Sequence, residues 1–422
     1  MTRRFRMLVL VVVMLVITAV GTVVLWARHD DREPVTILGT WTAKQGEQFE
    51  AVLRSFGIPF RYQGTAAQRE VLLSKVQSGE PPDIVIMPSI GELAEYAEQD
   101  LLEPLDALYD PEEYGGPWKP TGSGSGHVYW VPVKADLKSI VWYREGERPA
   151  ASPAPLRSWC MGMSDDGTSG WPGTDWIEDL VLQQQGPDVY EKWALNKERR
   201  DWWRGDAVRT AWESWASLLR QDRAAARHAL LTDHRGDPDG NGLLFEGWGG
   251  CTLEHQGSFA PSFYKDEARR ARMTDSARLL PGGDGRLRGR EVTGDFAALF
   301  GDRPQARELI RRLASKEGQQ KWAATTNVFS ANRRVAPHGS AVEREIARRL
   351  GEGPRCLDAS DVMPPAVRDA FYEAVLLTIA RAAAGRDIDI PGVLADVQRV
   401  QDAQTAQGTD RSAAPRTVCS ST

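Results

Sequence analysis

Apolar positions fall into distinct patterns along the chain. Residues 7–26 form an unbroken apolar run, and at about 1.5 Å per residue a helix of that length reaches roughly 30 Å, the hydrocarbon thickness of a bilayer. Arg3, Arg4 and Arg6 precede it, so the positive-inside rule keeps them cytoplasmic and exports the chain beyond Trp26. The run exceeds the roughly 7–15 residues of a signal-peptide core, and Leu25-Trp26-Ala27 is a poor cleavage site. An uncleaved signal anchor over residues 1–33 is therefore expected, with a cleaved signal peptide as the alternative.

Beyond it the pattern alternates. Residues 35–38 are β-prone, and Thr42 with Gln45 has the spacing of a capping box. Phe49, Val52, Leu53 and Phe56 then recur as the apolar stripe of a helix. A strand over 58–62, a helix over 66–77 and a buried strand over 83–87 complete a β-α-β-α-β order, which indicates a parallel sheet covered on both faces. Ligands on such sheets sit beyond the carboxyl ends of strands, which points to residues 39–41 and 88–91. Residues 121–126 read as a surface turn, while 128–133 and 139–143 are β-prone, the second a candidate crossing between lobes. A second αβ block opens near Trp159, with helices around 176–184 and 206–219. Residues 291–300 are again β-prone, and 303–325 and 365–404 are helical. The polar tail after Ala406 is expected to be disordered.

Roughly 390 residues outside the apolar run exceed what one core usually serves, so two lobes are expected. The net charge of −6, with basic residues scattered among acidic ones, argues against nucleic acid as a partner. Cys160, Cys251, Cys356 and Cys419 lie in an exported chain, where disulfides persist; no CxxC pair suggests zinc, and the possible pairings stay open.

Tryptophan is unusually frequent, 15 residues against 11 Phe and 9 Tyr, and an indole face suits stacking on a sugar ring. Trp212 and Trp215, one turn apart, fit a core, and Trp202-Trp203 fits a surface cover. Trp171 and Trp176 flank the turn Pro172-Gly173-Thr174, where an indole is equally suited to ligand. Asp175, Glu178 and Asp179 fit a helix start better than a glycosidase pair, because one helical turn does not straddle a scissile bond. Asp237-Pro238-Asp239-Gly240-Asn241-Gly242 matches half a calcium loop, but the twelfth position is Trp248 where a Glu is required, so turn chemistry is the better reading. His255, beside Gln256, fits a structural histidine. With no HExxH, GxSxG or P-loop, binding is favoured over catalysis, and neither metal nor cofactor is expected.

Several segments together resemble the extracellular solute-binding proteins of ABC sugar importers, in particular their α-glucoside-type branch. They are Gly39-Thr40-Trp41-Thr42, Pro81-Pro82-Asp83-Ile84, Val131-Pro132-Val133-Lys134-Ala135-Asp136-Leu137-Lys138-Ser139, Gly170-Trp171-Pro172-Gly173-Thr174-Asp175-Trp176-Ile177-Glu178-Asp179, Cys251-Thr252-Leu253-Glu254-His255-Gln256-Gly257-Ser258-Phe259, Val292-Thr293-Gly294-Asp295 and Ser360-Asp361-Val362-Met363-Pro364. The resemblance implies a periplasmic-binding-protein-like α/β fold with two αβ lobes, a hinge crossed more than once and a ligand cleft between them. The expected lobes are 34–142 with 292–330, and 143–291 with 331–405, leaving 406–422 as the tail. It also implies a non-enzymatic protein on the extracellular face of the plasma membrane, where the N-terminal run predicts that it is held by its helix or secreted after cleavage. Its partners would be a small-molecule carbohydrate, ABC permease subunits and the membrane through the N-terminal segment. By position, Trp41, Lys134, Trp171, Asp175, Trp176, Gln256 and Asp295 would line the cleft, and Cys160 would bridge to Cys251. A membrane-tethered sensor and a secreted glycosidase are the rival readings. The chain departs from the pattern in lacking the lipoprotein cysteine, in the turn Glu246-Gly247-Trp248-Gly249-Gly250, and in an aromatic-poor stretch over 280–289.

Overall fold

The structure, a computed structural model, describes residues 33–119, 126–326, 328–406 and 413–421. Its strands are β1 (Val35–Gly39), β2 (Phe60–Gly64), β3 (Ile84–Met87), β4 (Trp130–Leu137), β5 (Ile140–Arg144), β6 (Leu253–His255), β7 (Ala271–Asp275), β8 (Arg290–Leu299), β9 (Arg355–Leu357) and β10 (Cys419–Ser420).

β1 pairs in parallel with both β2 and β3. The helices Ala43–Arg54 and Gln68–Gln77 form the crossovers. Every residue of β3 is buried, as befits a strand covered on both faces. β8 runs antiparallel beside β3 and β4 and parallel to β9, closing a seven-stranded sheet of order β10-β9-β8-β3-β1-β2 with β4 attached to β8. β5 lies between β6 and β7 in a second, antiparallel sheet. The helices Trp171–Gln185, Asp206–Leu219, Arg223–Leu231, Pro365–Ala384 and Ile390–Ala406 pack on one another, and the first meets that sheet through Asp179 and His255. The result is a two-lobed α/β architecture. The chain passes between the lobes at Lys138-Ser139, in the stretch 276–289 between β7 and β8, and at Asp358 after β9.

The tryptophan-rich region is largely core. Trp193, Trp203 and Trp212 gather around Phe371, and Trp215 is fully buried. Trp203 is thus interior and not a surface cover, while Trp202 is half-buried and donates its indole N–H to the Lys197 carbonyl. Two disulfides staple the lobes internally. Cys160 and Cys251 are joined across 91 positions with Cα atoms 5.2 Å apart, and Cys356 joins Cys419 across 63 positions.

Several expectations are revised. The Thr42 side chain makes no capping hydrogen bond: Ala43 enters the helix at φ 45°, outside ordinary helical geometry. The helical stretch 303–325 is two helices, Pro304–Ala314 and Lys316–Thr326, while the C-terminal helical set over 365–404 is also two, the first ended by Gly385 at φ 64°. The expected disorder of the tail does not hold at its far end, where β10 pairs with β9 and the disulfide fixes Cys419. β9 and β10 also belong to the seven-stranded sheet, so residues 331–405 do not lie wholly in one lobe.

The membrane anchor is likewise corrected. No helix among the described residues is long and apolar enough to cross a membrane. The longest, Pro365–Ala384, carries Arg368, Asp369, Glu373 and Arg381. The expectation rests wholly on residues 7–26, which lie outside the described residues. Membrane anchoring is therefore withdrawn from both the location and the partners assigned to the protein, and the tethered-sensor reading is left with no support among the described residues.

Candidate functional site

β4 brings the first charged groups inward. Alternation along a strand sets Lys134 and Asp136 on one face and Val133, Ala135 and Leu137 on the other. A bulge between Pro132 and Lys134 inserts Val133, so that Lys134 stands opposite Asp295 on β8. The Lys134 ammonium lies 2.6 Å from Asp136 and 3.4 Å from Asp295, all three being buried. Burial pulls the Lys134 pKa down, but the two carboxylates more than reverse this, and it ends above the ordinary lysine value. Burial raises the Asp295 carboxyl, with Lys134 opposing. Ser258 donates to Asp136 at 2.8 Å and accepts from the Leu137 N–H.

Aromatic rings flank these charges. Trp41, just past the carboxyl end of β1, helps lower the Asp295 carboxyl and packs on Phe49 and Trp322. The Lys134 ammonium sits 5.8 Å from the Phe259 ring centre, and Phe259 lies 6.0 Å from Trp171. Trp171 opens the helix Trp171–Gln185, donates its indole N–H to Asp165 at 2.7 Å and packs on His234. Gln256 donates to the His234 carbonyl at 3.0 Å.

A second polar cluster adjoins the first. Lys138 holds Asp175 at 2.8 Å, contacts Asp358 and lies 3.9 Å from Glu291, with its ammonium 5.4 Å from the Trp171 ring centre. Oxygens of Asp175, Glu291 and Asp358 lie within 4.8 Å of one another, a spacing that would suit a metal ion. The Lys138 ammonium already supplies the positive charge there. Burial, partly offset by Lys138, raises Asp175 to about 6, and burial holds Glu178 and Glu291 well above the usual carboxylate range.

Contacts thus link Trp41, Asp295, Lys134, Trp171, Asp175 and Gln256 in one continuous region between the two sheets. Trp176 is elsewhere: only 1% exposed, it is wedged between Trp159 and His255 at 4.7 Å from each. His255 in turn contacts Asp179 at 2.8 Å. Asp136, Lys138, Ser258 and Phe259 are not singled out by sequence reasoning. The Lys-x-Asp-x-Lys alternation at 134, 136 and 138 inside an apolar strand is the signal that could find the first two. In the half calcium loop, Glu246 accepts from the Asp237 backbone N–H at 3.1 Å, so its carboxylate is occupied by the turn. A cavity of about 490 Å³, lined by Tyr114, Trp118, Asn332 and Arg355 among others, includes none of the cleft residues.

Two sheet-bearing lobes with charged and aromatic groups at their junction define a ligand-capturing architecture. The chain belongs to the bacterial extracellular solute-binding protein family, whose model matches residues 40–320. It is a binding protein, not an enzyme, and its place is extracellular or periplasmic. The α-glucosides-binding periplasmic protein AglE of Rhizobium meliloti is 29% identical over 345 residues, 73% of this chain and 74% of that protein. The osmoprotective compounds-binding protein GgtB of Synechocystis sp. is 28% identical over 403 residues, 85% of this chain and 91% of its own length. Among solved structures, the bacterial solute receptor AcbH, described as preferring β-D-galactopyranose, superposes with a TM-score of 0.67 at 16% identity, covering 89% of this chain and 99% of that one. A chitin oligosaccharide binding protein gives the same TM-score of 0.67 at 15% identity, covering 89% of this chain and 100% of its own.

Proposed function

We propose that the protein captures a carbohydrate of the α-glucoside or small-oligosaccharide class in the cleft and delivers it to ABC permease subunits. The observation that carries this reading is the Lys134–Asp295 pair bracketed by Trp41 and Phe259, with Trp171 beyond. Rings offer stacking faces to the apolar side of a sugar, and the charged groups serve its hydroxyls. The relative named for α-glucosides supports that class. Trp41, Lys134, Trp171, Asp175, Gln256 and Asp295 are the contacts we assign, together with Asp136 and Phe259. One lobe is built on the seven-stranded sheet and the other on the three-stranded sheet. Closure about the crossings encloses the sugar, and the ligand shifts the open–closed balance by its differential affinity for the closed form.

A thermal-shift screen of the purified protein against mono-, di- and oligosaccharides tests this. An α-glucoside should raise the melting temperature in a concentration-dependent way, since binding to the folded state stabilises it by mass action. No shift with any sugar, alongside a shift with an amino acid or peptide, would refute it.

A further inference from the structure

Lys138 is the residue at which β4 leaves one sheet for the other. Its backbone N–H donates to the Glu291 carbonyl at 2.8 Å, tying the first crossing to the start of β8. The next residue, Ser139, adopts φ 32°, an uncommon conformation for a residue with a side chain, and is held on several sides. Its hydroxyl donates to Asp179 at 2.7 Å and accepts from the Glu291 N–H at 2.8 Å, while its carbonyl accepts from Ser276 at 3.1 Å. The Lys138 ammonium extends the same bracing to the third crossing through Asp358, and to the cleft through Asp175 and the Trp171 ring.

We propose, resting on the assignment of the cleft as a sugar site, that Lys138 is a positioning residue whose ammonium binds the three crossings to one another and to the Trp171–Asp175 wall, holding the hinge in the geometry that closes on ligand. The ion pairs of Asp175, Glu291 and Asp358 all go to this one lysine. Oxygens of the three lie within 4.8 Å of one another, so without the cation the Asp175 and Asp358 carboxylates repel. The crossings they mark would then move apart, because a buried charge that has lost its partner is strongly unfavourable. Glu291 joins the cluster through proximity alone: neither of its carboxyl oxygens has a hydrogen-bond partner, and Lys138 lies 3.9 Å away, whereas Asp358 also accepts from Ser360 and the Asp361 N–H. Hydrogen bonding secures the neighbouring acids in other ways. Glu178 accepts from the Ala359 N–H at 2.6 Å and from Tyr190, Asp361 accepts from Thr293, and Arg368 turns away to Ser89 and Glu92.

The test uses the whole protein and two variants, Lys138→Met and the charge-balanced Lys138→Met/Asp358→Asn. Small-angle scattering reads the radius of gyration without ligand and with the sugar found on the wild-type protein, and titration reads affinity. Lys138→Met should give a larger radius than wild type in the absence of ligand, should fail to contract on sugar, and should bind about tenfold or more weakly. The double variant should recover most of the lost melting temperature, because a neutral replacement of both partners relieves the unpaired charge. It should nonetheless remain expanded and weak-binding. Wild-type radius in Lys138→Met, or wild-type affinity in the double variant once its melting temperature is restored, would reduce Lys138 to a stabilising residue and overturn the proposal. Should no sugar bind the wild type, the assignment of the cleft fails by itself. The ligand-free radii still decide the hinge role, expansion supporting it and identity overturning it.

Discussion

Lys134 on β4 and Asp295 on β8 are register partners, and their charged atoms meet at 3.4 Å within a buried layer. Because Asp136 also contacts Lys134, at 2.6 Å, the lysine keeps a counter-ion when Asp295 is removed. Asp295→Ala should therefore fold, yet lose a charge-assisted hydrogen bond to the ligand worth roughly 1.5–3 kcal/mol, about ten- to a hundredfold in affinity. Trp202→Phe, remote from the cleft, should bind as wild type. Isothermal titration of both against the sugar that passes the screen checks the pair; equal affinities would remove Asp295 from the site.

Trp176 separates packing from binding. Enclosed by Trp159 and His255, it should behave as a core residue, with Trp176→Ala costing about 3–5 kcal/mol of stability. Denaturant unfolding measures this. A variant of unchanged stability that cannot bind would put the indole in the cleft instead.

The disulfides close loops of 91 and 63 positions, for which the chain-entropy model gives about 4–5 kcal/mol each. Replacing either pair by serines should lower the melting temperature, and reductant should do the same to the wild type but not to the protein lacking both. Scanning calorimetry with and without reductant distinguishes the cases.

Stability should fall as pH rises toward 8. Glu254 is buried, and desolvation lifts its pKa to about 8, with hydrogen bonds from Tyr264 and the Leu244 N–H only partly opposing it. Asp361 is also raised to about 8, by burial and then by Asp358. Both keep their protons in the folded state at pH values where the unfolded chain has released them. The native state thus binds more protons, and stability declines from the ordinary carboxylate range up through about 8. Glu254→Gln, which cannot ionise, should flatten that decline. Parallel slopes for mutant and wild type between about pH 5 and 9, by denaturant titration, would contradict it.

Sequence pattern reaches furthest where burial is periodic. The parallel β1–β3 core and the helix Asp206–Leu219 arise from runs whose apolar spacing allows one solution. It does least where meaning depends on pairing across the chain. Lys138 is a single lysine in sequence, and only the return of β8 and β9 beside β4 surrounds it with Glu291 and Asp358. Trp171 and Trp176 look equivalent on either side of a turn, but five residues around a helix point them to different neighbours. The polar tail carries little sign of β10 because its anchorage is a covalent bond and backbone hydrogen bonds to Glu191, with only Ala413, Ala414 and Val418 buried beside them.

The larger sheet draws its strands from residue 35 at one extreme and residue 420 at the other. Its central strand β8 cannot find β9, nor β9 find β10, until nearly the whole polypeptide is available. Such distant pairings form late and slowly. The larger sheet thus stays unlocked until the end of the chain arrives, and the Cys356–Cys419 bond, among the last contacts that can form, acts as a seal set when the rest is in place.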